Sequence, residues 1–180
     1  MVQLDEPGLP GVLAGAVPTA SGLRRVAAVD DSVAADGLRT VLDATGAPSV
    51  VHCCAPEIPF NCITKSRATA VSFDLSLLRR SQEDAFGEAV ESEVGMFIGA
   101  VPAAGMVAPA SAEAAARQTA TDVIRLWLRI GLAADRLAGQ VVLTPACGLA
   151  SASHGYARSA LHRCQAAARF IPELLEEGVR

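Results

Sequence analysis

The chain has 180 residues, of which 51% are hydrophobic, and its formal net charge at pH 7 is −4. This length and apolar content suit a single domain over residues 1–180 and argue against an intrinsically disordered chain. The 15 basic residues are spread thinly and form no stripe of the kind that binds a phosphate backbone, so we expect no nucleic-acid partner.

The chain opens on the stretch MVQLDEP, which has two acidic residues where a signal peptide carries positive charge and then a long apolar run. We therefore expect no targeting segment and a cytoplasmic protein. The longest uncharged run, residues 94–112, approaches the length of a membrane span, but glycines and prolines interrupt it repeatedly. This run predicts a strand followed by a loop, and we expect no membrane partner.

Short apolar runs that suit buried strands alternate with stretches of helical periodicity. The predicted strands are residues 2–5, 50–53, 70–74, 95–101 and 140–147. The predicted helices are residues 31–45, 82–93, 111–130 and 155–171, with a shorter segment around 58–66. Strands that alternate with helices indicate parallel strands joined by right-handed crossovers, so the predicted class is α/β.

Single residues predict details of these helices. Four apolar residues of the first helix are expected on its buried face: Val33, Leu38, Val41 and Leu42. Ser81 is expected to cap the second helix, and Trp127 is expected in the core beneath the third. Pro172 is expected to open one more turn after the last helix.

Polar and reactive side chains cluster at the carboxyl ends of the predicted strands. They are Asp5, Glu6, His52, Cys53, Cys54, Asp74 and Cys147. Because the βα loops of parallel α/β folds converge at that face, residues far apart in sequence could share one cleft there.

His52 and Cys54 form an H-x-C pair at a strand end, where residues i and i+2 point the same way. An imidazole and a thiolate could then bind one ion, while Cys53 points to the opposite side. Cys147, in PACGL, and Asp74 would complete a zinc set of one imidazole, two thiolates and one carboxylate. The alternatives at this point are packing, since buried free cysteine behaves as a small hydrophobe, and a redox pair.

The remaining cysteines and histidines suit structural roles. Five cysteines, an odd number, argue against a disulfide framework. Cys62 and Cys164 lie in helical patterns and are expected to pack, whereas His154 and His162 are expected at the start and on the surface of the last helix. The DEP stretch at residues 5–7 could be a helix-capping turn or a substrate-binding one.

The stretches VQLDEP, HCC and PACGLA, in that order and at strand ends, resemble the catalytic barrel of cobalamin-independent methionine synthase, in its short single-barrel type. In this family an H-x-C pair, an acid on the next strand and the cysteine of a C-G-L motif bind zinc. The acid of the D-E-P motif helps to hold homocysteine. The resemblance implies zinc ligands at His52, Cys54, Asp74 and Cys147 and a substrate-binding role for Asp5.

The activity that the resemblance implies is a zinc-dependent methyltransferase of methionine biosynthesis. It would transfer a methyl group from a reduced folate or another donor to the homocysteine thiol. The implied fold is a (β/α)8 TIM barrel, which takes about 250 residues. With five predicted strands the chain corresponds to the second part of that barrel. We therefore expect a partial TIM barrel that self-association or an upstream barrel half completes.

Three positions depart from the family pattern. Asp74 stands where the synthases carry glutamate, the stretch ACGLASA lacks their arginine, and GAVPAAG on the fourth strand lacks their histidine. These departures leave open a non-catalytic zinc-binding remnant or binding protein with the same barrel. A decarboxylase of the related uroporphyrinogen type shares the barrel but needs no zinc cysteines, so HCC and PACGL argue against it.

Overall fold

A computed structural model describes residues 1–105 and 111–179 of the chain. One sheet holds five parallel strands in sequence order, with helices flanking it. The strands are β1 (Val2–Asp5), β2 (Ser49–Cys53), β3 (Ala70–Asp74), β4 (Gly95–Val101) and β5 (Val141–Pro145). The helices are α1 (Leu9–Leu13), α2 (Asp31–Asp43), α3 (Phe60–Lys65), α4 (Glu83–Glu91), α5 (Ala112–Arg129), α6 (Ala134–Gln140) and α7 (His154–Glu176).

This architecture confirms the predicted α/β class with five parallel strands, and it fits a partial (β/α)8 barrel. Of the uncharged run 94–112, residues 106–110 lie outside the description. Among the described residues, no helix is both long enough and apolar enough to span a bilayer. The prediction that self-association or an upstream half completes the barrel stays a prediction.

Two short helices were not predicted, and one helix is longer than expected. α1 has five residues, including a proline and a glycine, and α6 has seven, so both are shorter than the window of about 11–18 residues in which helical periodicity is recognised. α7 continues through Pro172, which the sequence predicted to lie beyond it. Ile171 and Leu174, on either side of this proline, are buried, and their packing offsets the one backbone hydrogen bond that proline removes.

The predicted buried face of α2 is half wrong. Leu38 and Leu42 are buried together with Ala35, whereas Val33 and Val41 are 60% and 51% exposed. A step of five residues turns a helix by about 140°, so Val33 points away from the side on which Leu38 lies. The buried face of α2 is therefore the one that carries Ala35, Leu38 and Leu42.

The predicted cap of α4 is also wrong. Ser81 lies inside a short 3-10 turn, and the N-cap residue is Gln82, which makes no side-chain cap. The Gln82 side chain instead accepts a hydrogen bond from the Arg79 backbone N–H at 3.2 Å and donates one to the Ile58 carbonyl at 3.0 Å. These two hydrogen bonds satisfy the polar atoms of a buried side chain.

The chain forms two compact units, and the first comprises Met1–Phe73 and Leu77–Gly95. Its core contains three edge-to-face phenylalanines, Phe60, Phe73 and Phe86, with ring centroids 5.4–5.8 Å apart. In the β1–β2–β3 register, Asp5 pairs with His52, which pairs with Ser72. Since strand residues alternate between faces, this polar row lies on the face opposite to Phe73.

The second unit comprises Asp74–Ser76 and Met96–Arg180. β4 and β5 pair in parallel from Met96 with Val141 onward, and the register shifts between Gly99 and Val101. Trp127 is fully buried, as predicted, and its indole N–H donates to the Ala133 carbonyl at 2.8 Å. Within this unit α7 packs against both β5 and α5.

Candidate metal centre

His52 lies near the end of β2 and is 6% exposed. Its Nδ1 is 2.8 Å from the hydroxyl oxygen of Ser72, the residue opposite to it on β3. Nε2 is the ring nitrogen that this contact leaves to other partners. A buried histidine held through one ring nitrogen is the usual arrangement of a metal ligand.

Cys53 and Cys54, next to each other in sequence, have different environments. Cys53 is fully buried and pairs with Phe73 in the sheet, whereas Cys54 is half-buried. Burial raises the pKa of the Cys53 thiol, and the charge of Glu6 acts in the same direction. Cys53 is therefore a packing residue, as predicted, whereas metal binding by His52 and Cys54 stays a prediction.

Cys62 and Cys164 are packing residues, as predicted. Both are buried, and burial raises the pKa of both thiols, that of Cys62 to about 11. A thiol with such a pKa carries almost no thiolate at neutral pH and is a poor ligand or nucleophile. His154 begins α7 and His162 lies on an exposed face of it, again as predicted.

Asp74 and Cys147 line one cavity of about 320 Å³ in the second unit. The Asp74 Oδ1 atom accepts hydrogen bonds from the Ser76 backbone N–H at 2.8 Å and from the Ser76 hydroxyl at 2.7 Å. This turn holds one carboxylate oxygen and fixes the orientation of the other. The rest of the lining is largely small or apolar and includes Gly99 and Ala146.

One histidine and two cysteines form a group that could hold a metal ion. The ligand atoms of His52, Cys54 and Cys147 all lie within 4.8 Å of one another. An imidazole with two sulfurs is a donor set that zinc prefers, so these residues fit the metal that the resemblance implies. Asp74 is not a member of this group and shares only the cavity with Cys147.

Asp5 is exposed at the end of β1, directly beside His52 in the sheet register. The Gln3 side-chain amide donates to Asp5 Oδ1 at 2.7 Å, and the Glu6 backbone N–H donates to the His52 carbonyl at 2.8 Å. The N-cap of α1 is Gly8, which makes no side-chain cap, so Asp5 does not cap this helix. Its carboxylate lies in the polar row of the sheet.

Sequence reasoning missed the residues that hold the candidate site residues Asp5, His52 and Asp74, namely Gln3, Ser72 and Ser76. A signal existed for Ser72, because it is the one hydroxyl residue in the apolar strand AVSFD and lies two positions before Asp74. Such a residue points to the same side of the strand as the candidate ligand that follows it. Its partner across the sheet depends on register, which the pattern alone does not specify.

Comparison with known families gives one result over nearly the whole chain. The family described as "Cobalamin-independent synthase, Catalytic domain" matches residues 1–170. No curated protein matches the chain.

Proposed function

The chain belongs to the cobalamin-independent methionine synthase catalytic-domain family, and on that premise we propose that it is a zinc-dependent methyltransferase that methylates the thiol of homocysteine. Family membership itself implies a methyltransferase of methionine biosynthesis, with homocysteine and a methyl donor as substrates. The observation that carries the zinc proposal is the group His52, Cys54 and Cys147, whose ligand atoms lie within 4.8 Å of one another.

The proposed ligands are these three residues with Asp74 as the fourth. The hydrogen bonds from Ser76 engage Oδ1 of Asp74, so Oδ2 is the oxygen that would bind the ion. A carboxylate that binds through one oxygen is the member of the set that an incoming substrate sulfur replaces most easily. When bound, zinc supplies the Lewis acidity that keeps a coordinated thiol deprotonated at neutral pH.

The residues of the chain then orient the substrate. The Asp5 carboxylate, held by Gln3 and adjacent to His52 in the sheet, would pair with the ammonium group of homocysteine. The cavity that Asp74 and Cys147 share would hold the reacting sulfur in a largely apolar lining. In the reaction a carbon–sulfur bond forms to the methyl group, the bond from methyl to donor breaks, and the donor atom takes a proton.

A second candidate function is a binding protein that keeps the metal site without turnover. The observation that favours it is β4, whose sequence GMFIGAV carries no histidine where the family has one. Asp74 in place of glutamate points the same way, since its carboxylate reaches one methylene less far.

Metal analysis of paired variants tests the zinc site. Cys54→Ser should purify with much less zinc than the wild-type protein, because it removes a proposed ligand. Cys53→Ser, the neighbouring substitution, should keep its zinc although it perturbs a fully buried position. Full zinc occupancy in Cys54→Ser would contradict the proposed site.

A methyl-transfer assay separates the two candidate functions. We expect this partial barrel alone to form little or no methionine from homocysteine and methyltetrahydrofolate. Once the barrel is completed, the zinc-loaded protein should form methionine, and Asp5→Asn should raise the KM for homocysteine without loss of zinc. Stoichiometric zinc with no methionine formed by the completed barrel would favour the binding protein.

A further inference from the structure

Ser72 is a polar side chain in the middle of a buried strand. It is 6% exposed, and its neighbours on β3, Val71 and Phe73, are fully buried. A hydroxyl in such a place costs stability unless it is hydrogen-bonded, and its partner is Nδ1 of His52 at 2.8 Å. This contact joins an otherwise apolar strand to a candidate metal ligand.

The direction of this hydrogen bond decides whether His52 can bind a metal. A neutral imidazole carries one proton, so one nitrogen is a donor and the other an acceptor. If the Ser72 hydroxyl donated to Nδ1, the proton would be on Nε2 and neither nitrogen would offer a lone pair to an ion. If Nδ1–H donates to the hydroxyl oxygen, the Nε2 lone pair is available.

We propose that Ser72 is a positioning residue that accepts a hydrogen bond from Nδ1–H of His52 and thereby presents Nε2 to the metal. This inference rests on the metal site of the proposed function and adds to it the residue that sets the tautomer and ring orientation of one ligand. A metal-binding histidine generally donates a hydrogen bond from its second ring N–H to a nearby acceptor, and removal of that acceptor typically weakens metal binding about 10–100-fold.

A merely structural role would make a different prediction. The Ser72 contact also ties β2 to β3, and loss of any buried hydrogen bond lowers stability. Ser66 supplies the matched control, since its hydroxyl is also buried in the first unit and donates to the Ile63 carbonyl at 2.7 Å. If Ser72 were only structural, Ser72→Ala and Ser66→Ala would behave alike toward zinc.

The test measures the zinc dissociation constant by chelator competition for the wild-type protein, Ser72→Ala, Ser72→Thr and Ser66→Ala. We expect Ser72→Ala to raise the constant about 10–100-fold. Ser72→Thr keeps the hydroxyl and should restore most of the affinity, and Ser66→Ala should leave it unchanged. Equal constants for Ser72→Ala and Ser66→Ala would overturn the proposal.

A second readout needs no metal. Long-range ¹H–¹⁵N couplings in the metal-free protein identify the tautomer of His52, with a His52→Gln variant to assign its signals. The proposal requires the Nδ1–H tautomer, and an Nε2–H tautomer would overturn it, even if Ser72→Ala failed to fold. A wild-type protein with the Nδ1–H tautomer but no zinc affinity would instead refute the proposed function and leave the Ser72 hydrogen bond established.

Discussion

Replacement of Cys147, a proposed zinc ligand, by serine should abolish most of the stabilisation that we expect zinc to give. Cys147 is exposed, so Cys147→Ser should change the stability of the metal-free protein by no more than about 0.5 kcal/mol. A ligand that binds only the folded state at 100 times its dissociation constant stabilises it by about 2.7 kcal/mol. For a chain of this size, that corresponds to a rise in Tm of about 5–10 °C.

Cys147→Ser should lose most of this zinc-induced rise in Tm because it lacks one of the two proposed sulfur ligands. If zinc affinity falls about 100-fold, the same zinc concentration stabilises the variant by only about 0.4 kcal/mol, which is a shift of about 1–2 °C. Differential scanning calorimetry with and without zinc measures both shifts. An undiminished zinc-induced shift in Cys147→Ser would refute the assignment of Cys147.

Cys164→Ser is the control for this experiment. Cys164 is 5% exposed and lies in α7, so its replacement should lower the Tm of the metal-free protein. The zinc-induced shift should nevertheless match that of the wild-type protein, since burial raises the pKa of this thiol and keeps it protonated. The two variants thus separate loss of packing from loss of a ligand.

Three further predictions concern the fold around the site. Phe86→Ala should lower the free energy of unfolding by about 3–5 kcal/mol in denaturant titrations, because Phe86 is fully buried against two other rings; a loss under about 1 kcal/mol would contradict this packing. The hydrogen bond from the Ser32 hydroxyl is the main cause that lowers the pKa of Asp30, the N-cap residue of α2. Asp30→Ala should therefore lower the Tm at pH 7, and the difference in Tm from the wild-type protein should shrink as the pH falls below 3.8, the usual pKa of the group. A difference in Tm that does not depend on pH would count against the capping role of Asp30. In the folded, metal-free protein, iodoacetamide should modify Cys147 much faster than Cys62, whose thiol has a pKa of about 11; mass spectrometry of peptides would reveal equal rates if this reasoning is wrong.

The strands could be predicted from sequence because each is a short, mainly apolar run that stops at a polar residue, a cysteine or a proline. β1, β3 and β4 begin and end at the predicted residues, and β2 differs by one residue at its start. The candidate ligands were found for the same reason, since His52, Asp74 and Cys147 follow or close such runs. Reactive residues at the carboxyl ends of parallel strands can be recognised in a sequence because they interrupt or follow an apolar run.

What could not be predicted depends on contacts between segments. The side of α2 that is buried is set by Ala35 and its neighbours, so Val33 and Val41 were placed wrongly. The Ser72–His52 hydrogen bond depends on the register of β2 against β3. The hydrogen bond from Ser76 to Asp74 depends on the backbone turn after β3. A residue pattern identifies the candidate ligands but not the residues that orient them.

Because side chains alternate between the two faces of the sheet along β2 and β3, a candidate site residue and a packing residue are neighbours in each strand. His52 and Ser72 lie on one face of the sheet, and Cys53 and Phe73 lie on the other. Insertion of one residue into β2 ahead of His52 would exchange these sets, with an imidazole forced among phenylalanines and the Cys53 thiol placed on the face where His52 now lies. Length changes within this strand should therefore be far less tolerable than most single substitutions in it, and natural variation in length should be confined to the loops that precede and follow the strand.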